Sequence, residues 1–477
     1  MSEHLQACPG NDGQQETIQR VTSYLEGRNA KWSKRPGAGD YRVSRDTNVS
    51  AIEAIHDAVR KCYNGDREEA EEAYEQTRAA IDEAHDIIGG EKQPSIKVDR
   101  VFAVPRRGLR DQADPYSSEI THNLPLLDPK YGVGPNIALR AMYSMPPMTI
   151  ETCTKDPERT GAIVFVPLFG DMKSDLFRSS DNAARRFYMR LQANNIIREK
   201  MDLTASLTKR LGKKDKKVVL GLGALLPALT NYGQTIEHHS NVVTTTGHGG
   251  TVHLLAETVS AELARPNVSA SDPIGIMGAA GSIGYSSLDV LAERLPEARF
   301  AAIDSRETRL AQMLHNHSDA GRITQYHRTG DVLTKSKVIV AAITSRIDLD
   351  EIDPRNMLDL TDKVFVDDSQ PGAFDREQVE RRGGRLRWVV GKVDSADSET
   401  SFLGRDHGYN YGATSGLLDK GDVWGCEAEA AVVAASGEPE KYAIRKRVDP
   451  EAARRIGELM SRYGVVVAAP QSYGKAV

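Results

Sequence analysis

The stretch that most constrains what this chain can fold into is Ser271 to Leu310, SDPIGIMGAAGSIGYSSLDVLAERLPEARFAAIDSRETRL. A short apolar run (Ile274, Ile276, Met277) leads into glycines at 278, 281 and 284, after which Leu288, Leu291 and Leu295 keep to one helical face. That order predicts strand, tight turn, helix. A second apolar run, Phe300 to Ile303, ends on Asp304. Glycines between a strand and a helix let an anion reach main-chain N–H groups at the helix N-terminus, where the dipole favours negative charge and side chains would block approach. The spacing is GxxGxxG rather than GxGxxG, with an acid about 20 residues further on, the context in which such a turn binds a dinucleotide. Gly278, Ala280, Gly281, Ser282, Ile283 and Gly284 are therefore the expected pyrophosphate contacts. The simpler alternative is a glycine-rich turn in a plain α/β domain.

At 477 residues the chain is long enough for two or three domains. Its 62 basic and 67 acidic residues nearly balance, at a net −5, which argues against a protein defined by nucleic-acid binding. The first residues, MSEHLQACPGNDGQQE, lack an apolar core like that of a signal peptide, and no run of 18 apolar residues occurs. A cytoplasmic protein with no membrane span is expected. Cys8, Cys62, Cys153 and Cys426 are scattered without CxxC or metal-ligand spacing, so neither a disulfide frame nor a zinc site is read.

Along the chain, residues 1 to about 45 are polar with little periodicity and read as frayed or wrapped over another surface. Ile52, Ile55, Val59 and Cys62 recur at helical spacing, Asn64-Gly65 stops that helix, and Asp66 caps a second one with Ala70, Ala73, Tyr74, Ile81 and Ala84 inward, ending at Gly89-Gly90. Lys92 to Pro157 reads as irregular. Ala162 to Leu168 is an apolar strand and opens an α/β domain, followed by a helix from Asn182 to about Leu203 and a strand from Val218 to Leu222. Between them lies a basic run, Lys209-Arg210 and Lys213 to Lys217, read either as a solvated face or as a docking patch for an acidic partner. Val242 to Leu263 reads as a strand, a Gly-His-Gly-Gly turn carrying His248, and a helix halted by Pro266; small residues there would admit a ligand facing the nucleotide. His238, His239 and His253 have no ligand-spaced carboxylate, and no metal site is read.

Three further short strands, Val338 to Ile343, Val364 to Val366 and Leu386 to Val390, end in polar residues that would line the carboxyl edge of a parallel sheet. Thr344 and Ser345 are among them. After a polar connection, Asp394 to Gly421, Asp422 is a plausible cap for a helix carrying Cys426 in or near its first turn. The dipole of such a turn stabilises a thiolate. A structural cysteine is the alternative. The final helix has Asp449 as cap, Pro450 in first position, Ile456, Leu459 and Met460 inward, and Gly464 past its end. The domains expected are an N-terminal helical and irregular extension (1–157), an α/β substrate domain (158–268), a Rossmann dinucleotide-binding domain (269–395), and C-terminal helices that complete the substrate domain (396–477).

These pieces, taken in order, resemble the cyanobacterial-type long-chain acyl-[acyl-carrier-protein] reductases. The matching stretches are Ala183 to Phe187, Gly221-Leu222-Gly223, Thr245 to Thr251, GAAGSIG at 278 to 284, VDDSQP at 366 to 371, Trp424 to Glu429, and the last helix, IGELMSRYG. They span about residues 160 to 470. The first 150 residues and the 394–421 segment have no counterpart, and His248 stands where the family usually has Asn. The resemblance implies NADPH-dependent reduction of a carrier-bound acyl thioester to an aldehyde, with Cys426 as nucleophile. It also implies an acyl carrier protein or other thioester carrier as partner, which the basic run Lys209 to Lys217 could dock; a homo-oligomer is compatible with it.

In that chemistry Cys426 takes the acyl group by a nearly isoenergetic thioester exchange. Backbone N–H groups near Gly223 or Gly247, or His248 itself, would stabilise the oxyanion, an effect of about 3 kcal/mol per donor in hydrolases. His248 is read as proton donor or as a turn-stabilising residue. Asp304 favours NADH, because a carboxylate accepts from ribose hydroxyls and repels a 2′-phosphate, whereas Ser305-Arg306 favour NADPH. Two rivals stand beside this reading: a Rossmann dehydrogenase of a free hydroxy or keto substrate with no covalent step, and a non-catalytic nucleotide-binding scaffold.

Overall fold

The chain divides into two units, Met1–Thr152, Ala162–Val218 and Thr235–Val242 in the first, and Cys153–Gly161, Val219–Gln234 and Val243–Val477 in the second. The structure is a computed structural model that describes residues 52–53, 55–57, 59–60, 63, 65–106, 124–131, 145–153, 160–169, 183–266, 268, 271–355, 357–369, 372–393, 422–472 and 475–477. The expectations for residues 1–45, for Cys8 and Cys62, and for the 394–421 connection fall outside these residues.

In the first unit, helix α1 (Arg67–Gly89) begins where the Asp66 carboxylate accepts from the Glu68 N–H and ends at Gly90 in the left-handed region, φ 85°. Its apolar face, Ala70, Ala73, Tyr74, Ile81 and Ala84, is buried, as are Ile52, Ile55 and Val59 ahead of it. Strands β1 (Arg100–Arg106), β2 (Met148–Cys153) and β3 (Gly161–Phe169) lie in the order β2-β3-β1. The stretch from 92 to 157 is therefore not wholly irregular. Val101 to Val104 is too short and too close to Pro105 to show a local period, and pairing with a neighbour supplies what the pattern lacks. Helix α2 runs Ala183–Leu211, two turns beyond the expected end, because Ala205, Leu207 and Leu211 continue its buried side. Lys209 and Arg210 occupy its last turn, where free carbonyls favour cations.

The second unit opens with β4 (Val218–Leu222) beside β5 (Val242–Thr245), whose first residues fall in the first unit, and helix α3 (His248–Leu263). Six strands follow. β6 (Ile274–Met277), α4 (Ser282–Arg294), β7 (Phe300–Ile303), α5 (Glu307–His315) and β8 (Ile323–Gln325) make one half. α6 (Thr329–Lys335) crosses to β9 (Val338–Ala341), β10 (Val364–Asp367), α7 (Arg376–Arg381) and β11 (Arg385–Trp388). Every pairing is parallel and the order is β11-β10-β9-β6-β7-β8. The chain thus winds outward from β6 to one edge, returns, and winds outward from β9 to the other, which is the doubly wound order of dinucleotide-binding domains. All four residues are buried in each of β6, β7, β9 and β10, which is why these strands read as unbroken apolar runs rather than alternations. One core cluster includes Met277, Ala301, Ile339, Phe365, Phe374 and Leu386. This is an α/β fold with a Rossmann sheet.

The chain then forms a three-stranded antiparallel sheet from β12 (Gly391–Val393), β13 (Asp422–Val423) and β14 (Val465–Val467), with helices α8 (Gly425–Ala435) and α9 (Pro450–Arg462) between the last two. Asp422 does not cap α8. It is buried in β13, accepts from the Gln471 side-chain amide, and leaves Trp424 as the cap residue without a side-chain bond. Among the described residues no helix is long and apolar enough to cross a membrane.

Candidate active site

In a doubly wound sheet the crevice for a ligand opens where the winding reverses, here between the carboxyl ends of β6 and β9. The glycine turn lies at that point. Gly278 has φ 79°, and a Cβ there would collide with the Ala342 carbonyl that follows β9; a Cβ on Gly284 would collide with the Gly278 carbonyl. The turn uses most of its own donors. The N–H groups of Gly278 and Ala279 donate to Ile303 O, that of Ala280 to the Asp304 carboxylate at 2.9 Å, and that of Gly281 to Gly278 O. Helical bonding in α4 starts with Tyr285 N–H to Gly281 O, so the N–H groups of Ser282, Ile283 and Gly284 precede the ladder at the helix N-terminus. Of the predicted contacts, 278 to 281 shape the turn and 282 to 284 carry its donors.

Asp304 is buried and committed. Besides the Ala280 N–H, its oxygens accept from the Arg306 N–H at 2.8 Å and from the Arg306 guanidinium at 3.1 Å. Burial pushes this carboxyl up, but the Arg306 bonds and the Ala280 N–H outweigh it and hold it below its ordinary value. Ser305 and Arg306 are exposed beside it. Thr344 and Ser345 are exposed just past β9.

Across the crevice, the Gly-His-Gly-Gly segment is not a turn but the start of α3. Gly247 is the cap residue at φ 74°, and His248 is the first helical residue. Two glycines in a helix start cost stability, so the pattern reads as a turn. What makes it a helix is Glu429, one turn beyond Cys426 on α8. Its buried carboxylate accepts from the Gly247 N–H at 3.0 Å, the Gly250 N–H at 2.9 Å, the Gly249 N–H and the Thr245 hydroxyl. Burial pushes the Glu429 carboxyl up even against these donors. The glycines are required by the approach of the two helix starts. A Cβ on Gly250 would strike the Gly425 carbonyl, and one on Gly247 would lie 2.5 Å from the Cys426 Cβ. The Gly247 N–H, a predicted oxyanion donor, is already taken by Glu429.

Cys426 is the second residue of α8 and is partly exposed. Its backbone packs on Gly247, and the next residue, His248, has Nδ1 3.0 Å from the Ser282 hydroxyl at the start of α4. Three helix N-termini, those of α3, α4 and α8, thus meet through Gly247, His248, Ser282 and Cys426. His248 is buried, and burial lowers its pKa to about 4, so it is neutral at neutral pH. The Tyr232 ring meets it edge-on at 5.9 Å. Tyr232 belongs to a loop after β4 in which Ala224, Asn231 and Tyr232 all have positive φ, conformations costing about 1–3 kcal/mol each.

A last element closes the edge at β10. Asp367 is buried with its oxygens accepting from the Ser369 N–H at 2.8 Å and the Ala373 N–H at 2.7 Å, and burial pushes it up to about 7 in spite of those bonds. The Ser369 hydroxyl in turn accepts from the Ile343 N–H at 3.1 Å, tying the ends of β9 and β10 together.

The structure therefore gathers Cys426, His248 and Ser282 around Gly247, with the rest of the glycine turn, Asp304 and Arg306 continuing from Ser282. Sequence reasoning missed Glu429 and Tyr232. Glu429 had a faint signal, one of two acids, with Glu427, in an otherwise small and apolar helix; Tyr232 had none.

No protein-family model matches the chain, and no curated protein is significantly similar to it. Among solved structures, L-tryptophan dehydrogenase from Nostoc punctiforme aligns over 76% of this chain and 89% of that one, at 10% sequence identity and a TM-score of 0.28. A likeness that slight transfers no activity.

Proposed function

We propose that the protein is an NAD(P)H-dependent oxidoreductase and, within that class, a reductase that converts an acyl thioester to an aldehyde through an acyl group on Cys426. The observation that carries the proposal is the placement of Cys426 in the first turn of α8, packed on Gly247 beside His248, whose ring contacts Ser282 of the glycine turn. The dinucleotide is supported by the absence of room for a Cβ at Gly284 and by the three N–H groups of residues 282–284 that precede the α4 ladder.

The Cys426 thiolate attacks the thioester carbonyl, the bond from that carbon to the substrate's own sulfur breaks, and the substrate sulfur leaves as a thiolate that takes a proton from solvent. A bound nicotinamide supplies the hydride that reduces the acyl carbon. With the Ser282 hydroxyl donating to Nδ1, the His248 proton sits on Nε2 and can donate a hydrogen bond to the developing oxyanion. A neutral imidazole suits that role better than delivery of a full proton. The Cys426 carbon–sulfur bond then breaks, releasing aldehyde and the thiolate. The resemblance to acyl-[acyl-carrier-protein] reductases supports a carrier-borne substrate. NADPH is the proposed cofactor, because Asp304 is neutralised by Arg306 and bound into the turn, while the guanidinium is half exposed.

Intact-mass measurement of the protein with acyl thioesters and no nicotinamide should find one acyl adduct, lost in Cys426→Ser. The His248–Ser282 pair also suits a non-covalent dehydrogenase of a hydroxy or keto substrate. Substantial turnover by Cys426→Ser would favour that reading.

A further inference from the structure

The basic run of the first unit folds around a cavity of about 630 Å³ that lies wholly within that unit. Lys97 lines it together with Lys209 and Arg210 from the last turn of α2, and the loop that follows adds lysines at 213, 214, 216 and 217. Asp215 is the single acid in the lining, so seven cations face one anion in a chain whose net charge is −5.

Among the described residues only part of this charge is answered by carboxylates. Lys213 pairs with Asp99. Lys97 and Lys217 donate to the main-chain carbonyls of Arg210 and Ser240, each at 2.6 Å, bonds that position the ammonium groups. Lys209, Arg210, Lys214 and Lys216 make no ion pair with a carboxylate among the described residues. Burial, and after it the neighbouring Arg210 charge, hold Lys97 below its ordinary pKa. A concave surface focuses such a field, where a convex one would dissipate it into solvent.

The rest of the lining is Gln93, Gly212, Ser240 and Asn241. It offers no aromatic or aliphatic side chain. An amphipathic acidic helix docks through apolar anchors, and a nucleobase needs a face to stack on; neither is present. What remains is a ligand recognised by charge and hydrogen bonding, with more negative charge than one carboxylate carries. We infer that this cavity binds a compact polyanion bearing several phosphate groups. The inference is independent of the chemistry proposed for Cys426, and the cavity shares no residue with the glycine turn.

The test is titration calorimetry of the full chain with inorganic tripolyphosphate at low salt. One site is expected, at least about tenfold tighter than for orthophosphate and weakening as salt is added. The double variant Lys214→Glu/Lys216→Glu should lose that binding, Lys214→Gln/Lys216→Gln should weaken it, and Lys214→Arg/Lys216→Arg should keep it. Tripolyphosphate binding unaltered in the Glu and Gln variants would place the anion elsewhere, at the glycine turn for instance, and overturn the inference. So would failure of tripolyphosphate to bind, whether or not an acidic carrier protein binds the same lysines.

Discussion

Two regions of this protein concentrate positive charge, and they do so by opposite means. The cavity of the first unit relies on formal charge, lysines and an arginine that are exposed or half-buried. The junction in the second unit relies on partial charge, the N-termini of α3, α4 and α8, brought together because glycines at 247, 250 and 425 let backbones touch. In the junction the positive ends are partly answered from within by the buried Glu429 carboxylate, whereas four of the cavity's seven cations, Lys209, Arg210, Lys214 and Lys216, make no ion pair with a carboxylate among the described residues. Formal charge on a surface recruits an ion. Oriented N–H groups in a dry junction also fix where reacting atoms sit.

The sharpest way to break the comparison is at Cys426. If the junction positions a nucleophile, Cys426→Ser lowers aldehyde formation by about a thousandfold or more, while dinucleotide binding, measured by nicotinamide fluorescence, stays as it was. Glu429→Ala comes next. It leaves three α3 N–H groups without their acceptor and should destabilise the protein by about 3 kcal/mol in chemical denaturation, as removing an acceptor of buried charge-assisted bonds does. Neutralising Lys214 and Lys216 in the cavity should change stability by less than about 0.5 kcal/mol. Equal costs at the two sites would erase the distinction.

The pH dependence sharpens it further, because the second unit holds two buried groups displaced in opposite senses. Asp367, at about 7 in the fold against 3.8 unfolded, keeps its proton in the native state across that window, so its contribution to stability falls as pH rises from about 4 to about 7. His248, at about 4 against 6.5, stays neutral when the unfolded chain protonates, so its contribution falls as pH drops through the same range. Asp367→Asn should remove that group's share of the first slope, so that stability at pH 7.5 relative to pH 5, by denaturation, is higher than in the parent protein. An unchanged profile would show that Asp367 does not titrate there. A smaller effect than at Cys426 or Glu429 is expected at Arg306, the cation beside the glycine turn. Arg306→Ala should lower the preference for NADPH over NADH by about tenfold in kcat/KM, on the order of 1.4 kcal/mol. An unchanged ratio would remove Arg306 from cofactor choice.

The two regions also differ in how legible they were. The basic run is contiguous, so its charge is plain from the residues, but not that it curves into a cavity. That depends on Lys97, Ser240 and Asn241 arriving from distant segments. The strand–glycine–helix–strand–Asp304 order could be read because each part is local: apolar runs, a turn that only glycine tolerates, and helical spacing. The α3 start was misread for the same reason. Locally, Gly-His-Gly-Gly favours a turn, and the carboxylate that makes it helical lies about 180 residues further on. Asp422 was misread as a cap because an acid before a helix usually is one, while the partner that draws it into β13, Gln471, also lies far along the chain.

What the sequence determined by itself was the doubly wound nucleotide fold and the position of Cys426 in a helix's first turn, since periodicity, glycine and helix start are properties of neighbours along the chain. Tertiary structure decided which of the turn's N–H groups remain to meet an anion, that Asp304 is spent on Ala280 and Arg306, and that Cys426 stands beside His248. Those are matters of hydrogen bonds closed between distant segments. A buried donor has its partner chosen by packing, and packing is not a local property.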